Sequence, residues 1–321
     1  MRVAGNRATS TLDGVSELQP VGCYRHPDRA TQITCRRCGQ PICGECMIPA
    51  AVGFQCPQCV RQHAKTSRQN RGVYGGERSA NPRLTTITII VINAVVWGVI
   101  QLAGLAKVQY RVVQFLGLLP RGVCMASDQA YYPGLDHAGC QGIGGVWVPG
   151  VADGAWWQIF TSIFTHVAIL HIAMNCLTLW FLGPALESML GRVRFLVTYV
   201  VAGLVGSLTV YWLSAVTSLS YGGSGSLFGL MGALLFILWR QKADVRQLLM
   251  WLGLNVVITV IGYGTISWQA HLGGLVGGVV LAGIWVLVPH DSRRERTQWL
   301  AVGGLVVLIA VGLVARTLML A

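Results

Sequence analysis

Seven long apolar runs dominate this sequence and restrict the folds that are open to it. They lie at about residues 84–106, 168–187, 195–213, 223–239, 247–263, 267–288 and 299–319. Each run approaches the ~20 residues that a helix needs to cross a bilayer. Only 11% of the residues are charged, against about 25% in a typical soluble domain. We therefore predict an all-α polytopic membrane protein, because backbone groups in lipid have to be paired within helices.

Basic residues are concentrated in alternate connections between these runs, although the long loop 107–167 also carries Lys107, Arg111 and Arg121, a mild exception that a long loop tolerates. Arg and Lys occur before the first run and after the second, fourth and sixth, at Arg78, Arg83, Arg192, Arg194, Arg240, Lys242, Arg246, Arg293, Arg294 and Arg296. The connections 214–222 and 264–266 contain neither residue type. By the positive-inside rule, we predict a cytoplasmic N-terminus and an extracytoplasmic C-terminus. Contact with membrane lipid then explains the net charge of +12, and no nucleic acid is expected as a partner.

The polar first part of the chain divides into three segments. Residues 1–20 lack the apolar stretch of a signal peptide, so we predict a disordered N-terminus and a first span that acts as the targeting signal. Residues 21–63 carry seven of the ten cysteines. Residues 64–83 are rich in Arg, Gly, Ser and Asn, and are predicted to form a flexible basic linker.

The cysteines of residues 21–63 are spaced as metal ligands. With one histidine they form four short pairs, Cys23 with His26, Cys35 with Cys38, Cys43 with Cys46 and Cys56 with Cys59. Two such pairs complete a tetrahedral zinc site, and a reducing cytoplasm favours metal over disulfides. We predict two structural zinc ions. The spacing leaves the pairing open, although alternation would resemble the cross-brace of B-box and RING-like fingers, and His63 is a spare candidate ligand.

The role of this zinc-binding domain has three alternatives. A segment of this size with little core needs metal simply to fold, so the domain can be a structural cap or a docking module for a cytoplasmic protein partner. Nucleic-acid binding is the weakest alternative, because the basic residues of the domain are scattered and no recognition helix is evident.

The long loop 107–167 is predicted to lie outside. It carries an apolar stretch and several tryptophans, among them Trp147, Trp156 and Trp157, as in segments that lie in the membrane interface. Cys124 and Cys140 both fall in this loop. On the oxidising side they can form a disulfide, and two free thiols are the alternative.

Four polar residues fall at one depth within the apolar runs. In the predicted orientation, the second, fourth and sixth runs all begin at the outer face. His171 and Asn175 lie about four and eight residues into the second run, Ser224 at the start of the fourth, and His271 about four residues into the sixth. At 1.5 Å per residue, all four lie within about 12 Å of the outer helix ends. We predict that they line one shallow cavity that water can reach.

These residue types suit acyl transfer. A serine beside a histidine is a nucleophile with its base, and His171 and Asn175, on one helix face, can both donate to an oxyanion. The Ser224 N–H adds a third donor at a helix N-terminus. Stripes of small residues on the fourth and sixth runs, Gly225, Gly229 and Gly232 and then Ala270, Gly274 and Gly278, allow the close approach that would join Ser224 to His271. No carboxylate lies near them, which favours a dyad over a triad.

The chain resembles the rhomboid family of intramembrane serine proteases. The matching segments are His166-x4-His171-x3-Asn175, Gly183 and Glu187 with Gly191 and Arg194, Gly222-Gly223-Ser224-Gly225 with Phe228-Gly229, and Ala270-His271-x2-Gly274-x3-Gly278. The resemblance implies a six-helix core over residues 84–290, followed by a cytoplasmic loop and a seventh transmembrane helix over 291–321. The zinc-binding head looks like that of actinobacterial rhomboids.

The resemblance also implies roles for individual residues. Ser224 is the expected nucleophile and His271 the base. His171 and Asn175 are expected to bind the oxyanion, with His166 and Gly223 in support. Trp156-Trp157 resembles the Trp-Arg motif of the outer loop, but Gln158 stands where arginine is usual.

We therefore expect a protease that cleaves transmembrane protein substrates near the outer face of the cell membrane. One alternative is an inactive rhomboid-like protein that binds membrane clients, and another is a membrane-anchored zinc-finger docking module. A transporter is a weaker alternative, because it predicts carboxylates within the spans, and Glu187 lies at the edge of one.

Overall fold

A computed structural model describes residues 21–50, 52–66, 72–77, 79–127, 130–132 and 134–320. The disorder predicted for residues 1–20 lies outside these residues. The chain divides into two compact units, 1–69 and 70–321.

The first unit is built from short elements around buried cysteines. Two antiparallel strand pairs, β1 (Val21–Gly22) with β2 (Ala30–Thr31) and β3 (Ile48–Pro49) with β4 (Phe54–Gln55), precede helix α1 (Pro57–Thr66). Its core consists of Ile42 and five buried cysteines, Cys23, Cys35, Cys43, Cys46 and Cys56. A core this small needs a further source of stability, such as a metal ion.

Apolar helices form the bulk of the second unit. They are α2 (Pro82–Leu105), α6 (Ile169–Leu190), α7 (Arg192–Leu213), α8 (Ser224–Arg240), α9 (Arg246–Ile261), α10 (Trp268–Leu287) and α11 (Arg294–Leu320), with the shorter α3 (Gln109–Leu116), α4 (His137–Gly142) and α5 (Gln158–Thr161) before α6. Five of the apolar helices are long enough to cross a membrane, and α8 and α9 are shorter, at 17 and 16 residues. The prediction of an all-α polytopic membrane protein is confirmed.

Helices α7, α8 and α10 form the centre of the bundle. Glycines allow the backbones of α8 and α10 to touch. A Cβ on Gly274 would collide with the carbonyl of Gly225, and a Cβ on Gly278 would collide with that of Gly229. Small residues four apart thus bring the two helices into direct backbone contact.

The connection from α2 to α6 contains a sheet that the sequence analysis did not predict. Strands β5 (Val123–Ser127), β6 (Ala130–Tyr132) and β7 (Val146–Val148) pair antiparallel in the order β6-β5-β7. A disulfide joins Cys124 on β5 to Cys140 on α4, with the Cα atoms 5.4 Å apart. We call the end of the bundle that carries this connection the loop end. Helices α6, α8 and α10 begin there.

Gln158 joins distant parts of this connection to one another. Its side chain is buried, its Oε1 accepts the N–H of Leu119 at 3.0 Å, and its Nε2 donates to the carbonyls of Gln114 and Pro149, both at 3.1 Å. The amide thus uses both its donor and its acceptor atoms on backbone groups. Glutamine therefore anchors this loop at the position where the rhomboid pattern usually has arginine.

At the opposite end of the bundle, the segment 72–77 packs against the helices. The buried Tyr74 hydroxyl accepts a hydrogen bond of 2.8 Å from Gln241, one residue beyond α8. A Cβ on Gly76 would collide with the carbonyl of Leu190 at the end of α6. This part of the segment predicted as a flexible linker thus makes specific contacts with the helix ends.

The polar residues Glu187 and Arg194, which are part of the rhomboid-like pattern, also lie at that end. Glu187 is fully buried and accepts the hydroxyl of Thr85 at 2.9 Å. Arg194 donates to Gln298 of α11 at 2.9 Å, and its guanidinium lies 5.3 Å from the ring centre of Trp285 on α10. These contacts join α2 to α6 and α7 to α10 and α11, far along the helices from Ser224.

Candidate active site and metal centres

Ser224 and His271 meet at the loop end of α8 and α10. The turn before α8 contains Gly222 with φ +131°, a conformation that favours glycine, and Ser224 is the first residue of the helix. Ser267 caps the start of α10 by accepting the N–H of Ala270. His271 lies one turn further along, and its Nε2 is 2.8 Å from Oγ of Ser224. The nucleophile and base that the sequence predicts are thus within hydrogen-bond distance.

A second hydroxyl contacts the other ring nitrogen of His271. Nδ1 of His271 lies 2.8 Å from Oγ1 of Thr259 on α9. Both contacts are hydrogen bonds only when the hydroxyl donates to the carbonyl of Asn255, 2.7 Å away, and accepts from His271. The proton of the neutral ring therefore lies on Nδ1, which leaves Nε2 free to accept the hydroxyl of Ser224.

Phe228 holds the ring of His271 from one face. The two rings are stacked, with centres 4.1 Å apart and planes inclined by 10°. Phe228 lies one turn after Ser224 on the buried side of α8. The stack and the two hydrogen bonds together restrict the imidazole in both rotation and tilt.

His166 organises the neighbouring polar groups. Its Nδ1 is 3.2 Å from the carbonyl of Phe164, to which it donates. Its Nε2 accepts the amide of Asn175 at 2.8 Å and the backbone N–H of Gly223 at 3.2 Å. The Gly223 N–H is therefore engaged by His166 and supports the turn before Ser224, and one amide hydrogen of Asn175 is fixed in direction.

Four of the predicted site residues line one cavity, whereas His166 and Gly223 lie behind it. The volume of this cavity is about 560 Å³, and its walls include His171, Asn175, Ser224 and His271. His171 packs edge-on against His166, with ring centres 5.1 Å apart, and close to Gly222, where a Cβ would come within 2.6 Å of the ring. Ser224 begins its helix, where the first N–H groups lack partners within the helix and favour negative charge. The cavity can therefore hold a carbonyl between a nucleophile and several donors.

Thr259 was missed by the sequence analysis, which looked only for a carboxylate beside the base. In the sequence, Thr259 stands out only as a hydroxyl residue in an apolar run, and Thr198 and Thr209 stand out in the same way. All three bond the carbonyl four residues back in their helices. Only the packing of α9 against the site distinguishes Thr259 from the other two.

The first unit contains two clusters with the ligand set of a tetrahedral metal site. Cys23, His26, Cys43 and Cys46 form one, and Cys35, Cys38, Cys56 and Cys59 form the other, with the ligand atoms of each within 4.8 Å of one another. The clusters combine the first pair with the third and the second with the fourth. This is the alternating pairing that the sequence analysis left open.

The distances and charges in these clusters fit a bound zinc ion. Sγ of Cys38 and Sγ of Cys56 are 3.8 Å apart, which equals the edge of a tetrahedron with Zn–S bonds of about 2.3 Å. Burial raises the pKa of the Cys23 and Cys35 thiols, but hydrogen bonds from backbone N–H groups outweigh it and lower each pKa to about 6, whereas burial and the neighbouring thiols raise the pKa of Cys46 to about 11 and that of Cys59 to about 12. Thiolate is the form that binds metal.

Comparison with known proteins places these observations in a family. The profile described as "Rhomboid domain" matches residues 153–289. Over 139 residues, the chain is 37% identical to "Rhomboid protease GluP" of Bacillus subtilis, covering 41% of this chain and 26% of GluP. It is 34% identical over 150 residues to YdcA of the same organism, whose name also contains the words rhomboid protease, covering 45% of this chain and 74% of YdcA. "RHOMBOID-like protein 1" of Arabidopsis thaliana is 31% identical over 141 residues, covering 42% of this chain and 36% of that protein.

Proposed function

Since this chain belongs to the rhomboid family, we propose that it is an intramembrane serine endopeptidase that uses Ser224 and His271 as a catalytic pair. The observation that carries the proposal is the 2.8 Å contact between Oγ of Ser224 and Nε2 of His271 at the wall of a cavity. A hydroxyl is a weak nucleophile unless a base takes its proton, and this geometry supplies that base.

The proposed reaction proceeds in two steps. Oγ of Ser224 attacks the scissile carbonyl carbon while its proton passes to Nε2 of His271. The N–H of Ser224, the ring of His171 and the amide of Asn175 stabilise the negative oxygen of the tetrahedral intermediate. His271 then gives the proton to the leaving amine, and water, activated by the same base, releases the acyl chain from Ser224.

The proposed substrates are other transmembrane proteins. A peptide bond within a helix is protected because its carbonyl is already hydrogen-bonded, so the substrate has to unwind locally before Ser224 can attack. The cavity is lined by residues of α6 and α9, including Met174 and Ile258. We propose these two helices, with the loop 264–266, as the route by which the substrate segment enters.

The proposed orientation follows from charge. The basic connections lie at the end of the bundle opposite the loop end, which puts the N-terminus and that end in the cytoplasm by the positive-inside rule. The cavity then opens toward the outer face, and cleavage occurs there. The contact of the basic end with anionic lipid fits the same orientation.

We further propose that the first unit is a B-box-like domain that holds two structural zinc ions. The tetrahedral ligand clusters and their alternating pairing support this assignment. Zinc would supply the folding energy of the domain, and no catalytic step involves it. A domain stabilised in this way, on the cytoplasmic side of the membrane, can present a surface to a cytoplasmic protein partner.

The test of the proposed activity is covalent labelling with a fluorophosphonate probe, together with cleavage of a model transmembrane substrate in detergent or liposomes. The wild-type chain should be labelled and active. Ser224→Ala should lose both signals, and His271→Ala should lose cleavage. Full cleavage by Ser224→Ala would overturn the proposal.

A shortened chain tests the proposal against its two alternatives, a membrane-anchored zinc-finger docking module and an inactive client-binding protein. Deletion of residues 1–70 should leave cleavage in place if the second unit is the enzyme. A folded wild-type chain that is neither labelled nor active, but retains transmembrane clients, would instead favour an inactive client-binding protein.

A further inference from the structure

Helix α9 is the least buried of the helices around the cavity. Of its 16 residues, only Leu248 and Thr259 are buried. Most of its large apolar side chains, such as Val260 and Ile261, are exposed on the surface that lipid would cover. A polar residue in such a helix is costly in a membrane unless its hydroxyl is paired. Thr259 is thus a buried polar contact on a helix that otherwise packs loosely.

The hydrogen bonds of Thr259 have a fixed direction. Its hydroxyl proton is directed to the carbonyl of Asn255 at 2.7 Å. The oxygen then presents only its lone pairs to Nδ1 of His271, 2.8 Å away. A ring nitrogen that faces a lone pair at this distance has to carry the proton, and the hydrogen bond at one nitrogen sets the state of the other.

We propose that Thr259 is a positioning residue that holds His271 in the tautomer able to accept the proton of Ser224. This inference rests on the proposed protease function. It adds a third member, supplied by a third helix, to the pair of Ser224 on α8 and His271 on α10. A hydroxyl takes the place that a carboxylate occupies in a catalytic triad.

Each proton of Ser224, His271 and Thr259 has a defined position at every step of the proposed reaction. When Ser224 bonds to the scissile carbon, its proton moves to Nε2 of His271, and the imidazolium continues to donate from Nδ1 to Thr259. The proton on Nε2 then passes to the leaving amine. Thr259 keeps its own proton on the carbonyl of Asn255 throughout. It is neutral, so it orients the imidazolium without neutralising its charge.

Loss of this hydroxyl should change the tautomer of His271. Thr259→Val has nearly the same shape but offers no acceptor, which leaves a buried Nδ1–H unpaired. The ring escapes that penalty by moving its proton to Nε2, where it donates to Ser224 and cannot accept from it. The expected fall in kcat is about 3- to 10-fold, the rate equivalent of one net neutral hydrogen bond, with KM unchanged.

The activity test uses the full chain and three variants in the same detergent. Thr259→Val should lose activity by this factor, and Thr259→Ser, which restores the hydroxyl, should recover at least half of it. Thr209→Val is the matched control, since Thr209 also bonds the carbonyl four residues back in its helix, that of Val205. It should retain wild-type kcat. Ser224→Ala is included to test the protease function itself.

The second readout is the tautomer of His271, observed by ¹⁵N NMR of histidine-labelled protein and assigned by comparison with His271→Gln. The wild-type chain should show Nδ1 protonated and Nε2 unprotonated at neutral pH. Thr259→Val should shift the population toward protonated Nε2, and Thr259→Ser should not. This readout is independent of turnover and reports even if the variant folds less efficiently.

The outcomes separate this inference from the proposed function. If Ser224→Ala remains fully active, the proposed protease mechanism fails. If Ser224→Ala is inactive but Thr259→Val keeps wild-type kcat and the wild-type tautomer, the positioning role alone is overturned. Equal losses in Thr259→Val and Thr259→Ser with an unchanged tautomer would assign Thr259 to packing and would also overturn it.

Discussion

The side-chain amide of Asn175 donates a hydrogen bond of 2.8 Å to Nε2 of His166. The same nitrogen accepts the backbone N–H of Gly223, next to Ser224. One imidazole thus fixes both an oxyanion donor candidate and the turn that presents the serine. His166 lies on the short segment before α6 and acts on the site through these two neighbours.

Removal of this acceptor should weaken both the fold and the activity. His166→Ala leaves the buried N–H of Gly223 and the partly buried amide of Asn175 without this partner, and an unsatisfied buried group costs about 1–3 kcal/mol. We expect a lower thermal midpoint in detergent and slower cleavage. His137→Ala is the control, because His137 is an exposed residue of α4 in the connection between α2 and α6. It should change neither the thermal midpoint nor the rate of cleavage. A His166→Ala protein as stable and active as this control would contradict the assignment.

Asn175→Ala should reduce the rate without abolishing it. Removal of one oxyanion donor in a serine protease lowers kcat by about 10²- to 10³-fold, and the loss here should fall at or below the lower bound because His171 and the Ser224 N–H remain. Single-turnover cleavage should slow while KM stays the same. A rise in KM at constant kcat would instead assign Asn175 to substrate binding.

The contact between Ser224 and His271 was predictable because helix geometry is regular. The positions of Ser224 and His271 within their apolar runs set their depth, and glycines four apart on α8 and α10 set the distance between the helices. Both quantities follow from a rise of about 1.5 Å per residue and from the absence of side chains at the contact. The depth and proximity of these two residues could therefore be predicted from the sequence.

The partner of His271 was not predictable, for an equally physical reason. Thr259 reaches His271 only because α9 returns to the loop end with that face turned inward, and the largely apolar sequence of α9 has no amphipathic pattern that specifies which face is buried. The small sheet of β5, β6 and β7 was missed because its strands are only three to five residues long. The contacts of Gln158 depend on how this connection folds back.

The zinc clusters give a prediction about stoichiometry and pairing. The purified full chain should contain two zinc ions by mass spectrometry, and a strong chelator should unfold the first unit. The double variant Cys23→Ser/Cys43→Ser removes ligands from one cluster only and should retain one ion. Cys23→Ser/Cys35→Ser affects both clusters and should retain none.

The control for this experiment is Cys176→Ser, which alters a cysteine of α6 outside both clusters and should keep two ions. Sequential pairing, with the first two pairs on one ion, would reverse the result for the double variants. Retention of one ion by Cys23→Ser/Cys35→Ser would therefore contradict the alternating arrangement.

Gln158→Ala should loosen the connection between α2 and α6. The substitution leaves the N–H of Leu119 and the carbonyls of Gln114 and Pro149 without their partner, and even one unsatisfied buried group costs about 1–3 kcal/mol. Thermal unfolding in detergent should show a lower midpoint than for Gln141→Ala, an exposed glutamine of the same connection. Gln158→Glu should fall near Gln158→Ala, because a carboxylate can still accept from Leu119 but faces two carbonyl oxygens that it cannot donate to. If Gln158→Ala and Gln158→Glu both unfold at the same temperature as wild type and the Gln141→Ala control, the three hydrogen bonds of Gln158 do not hold the parts of this connection together.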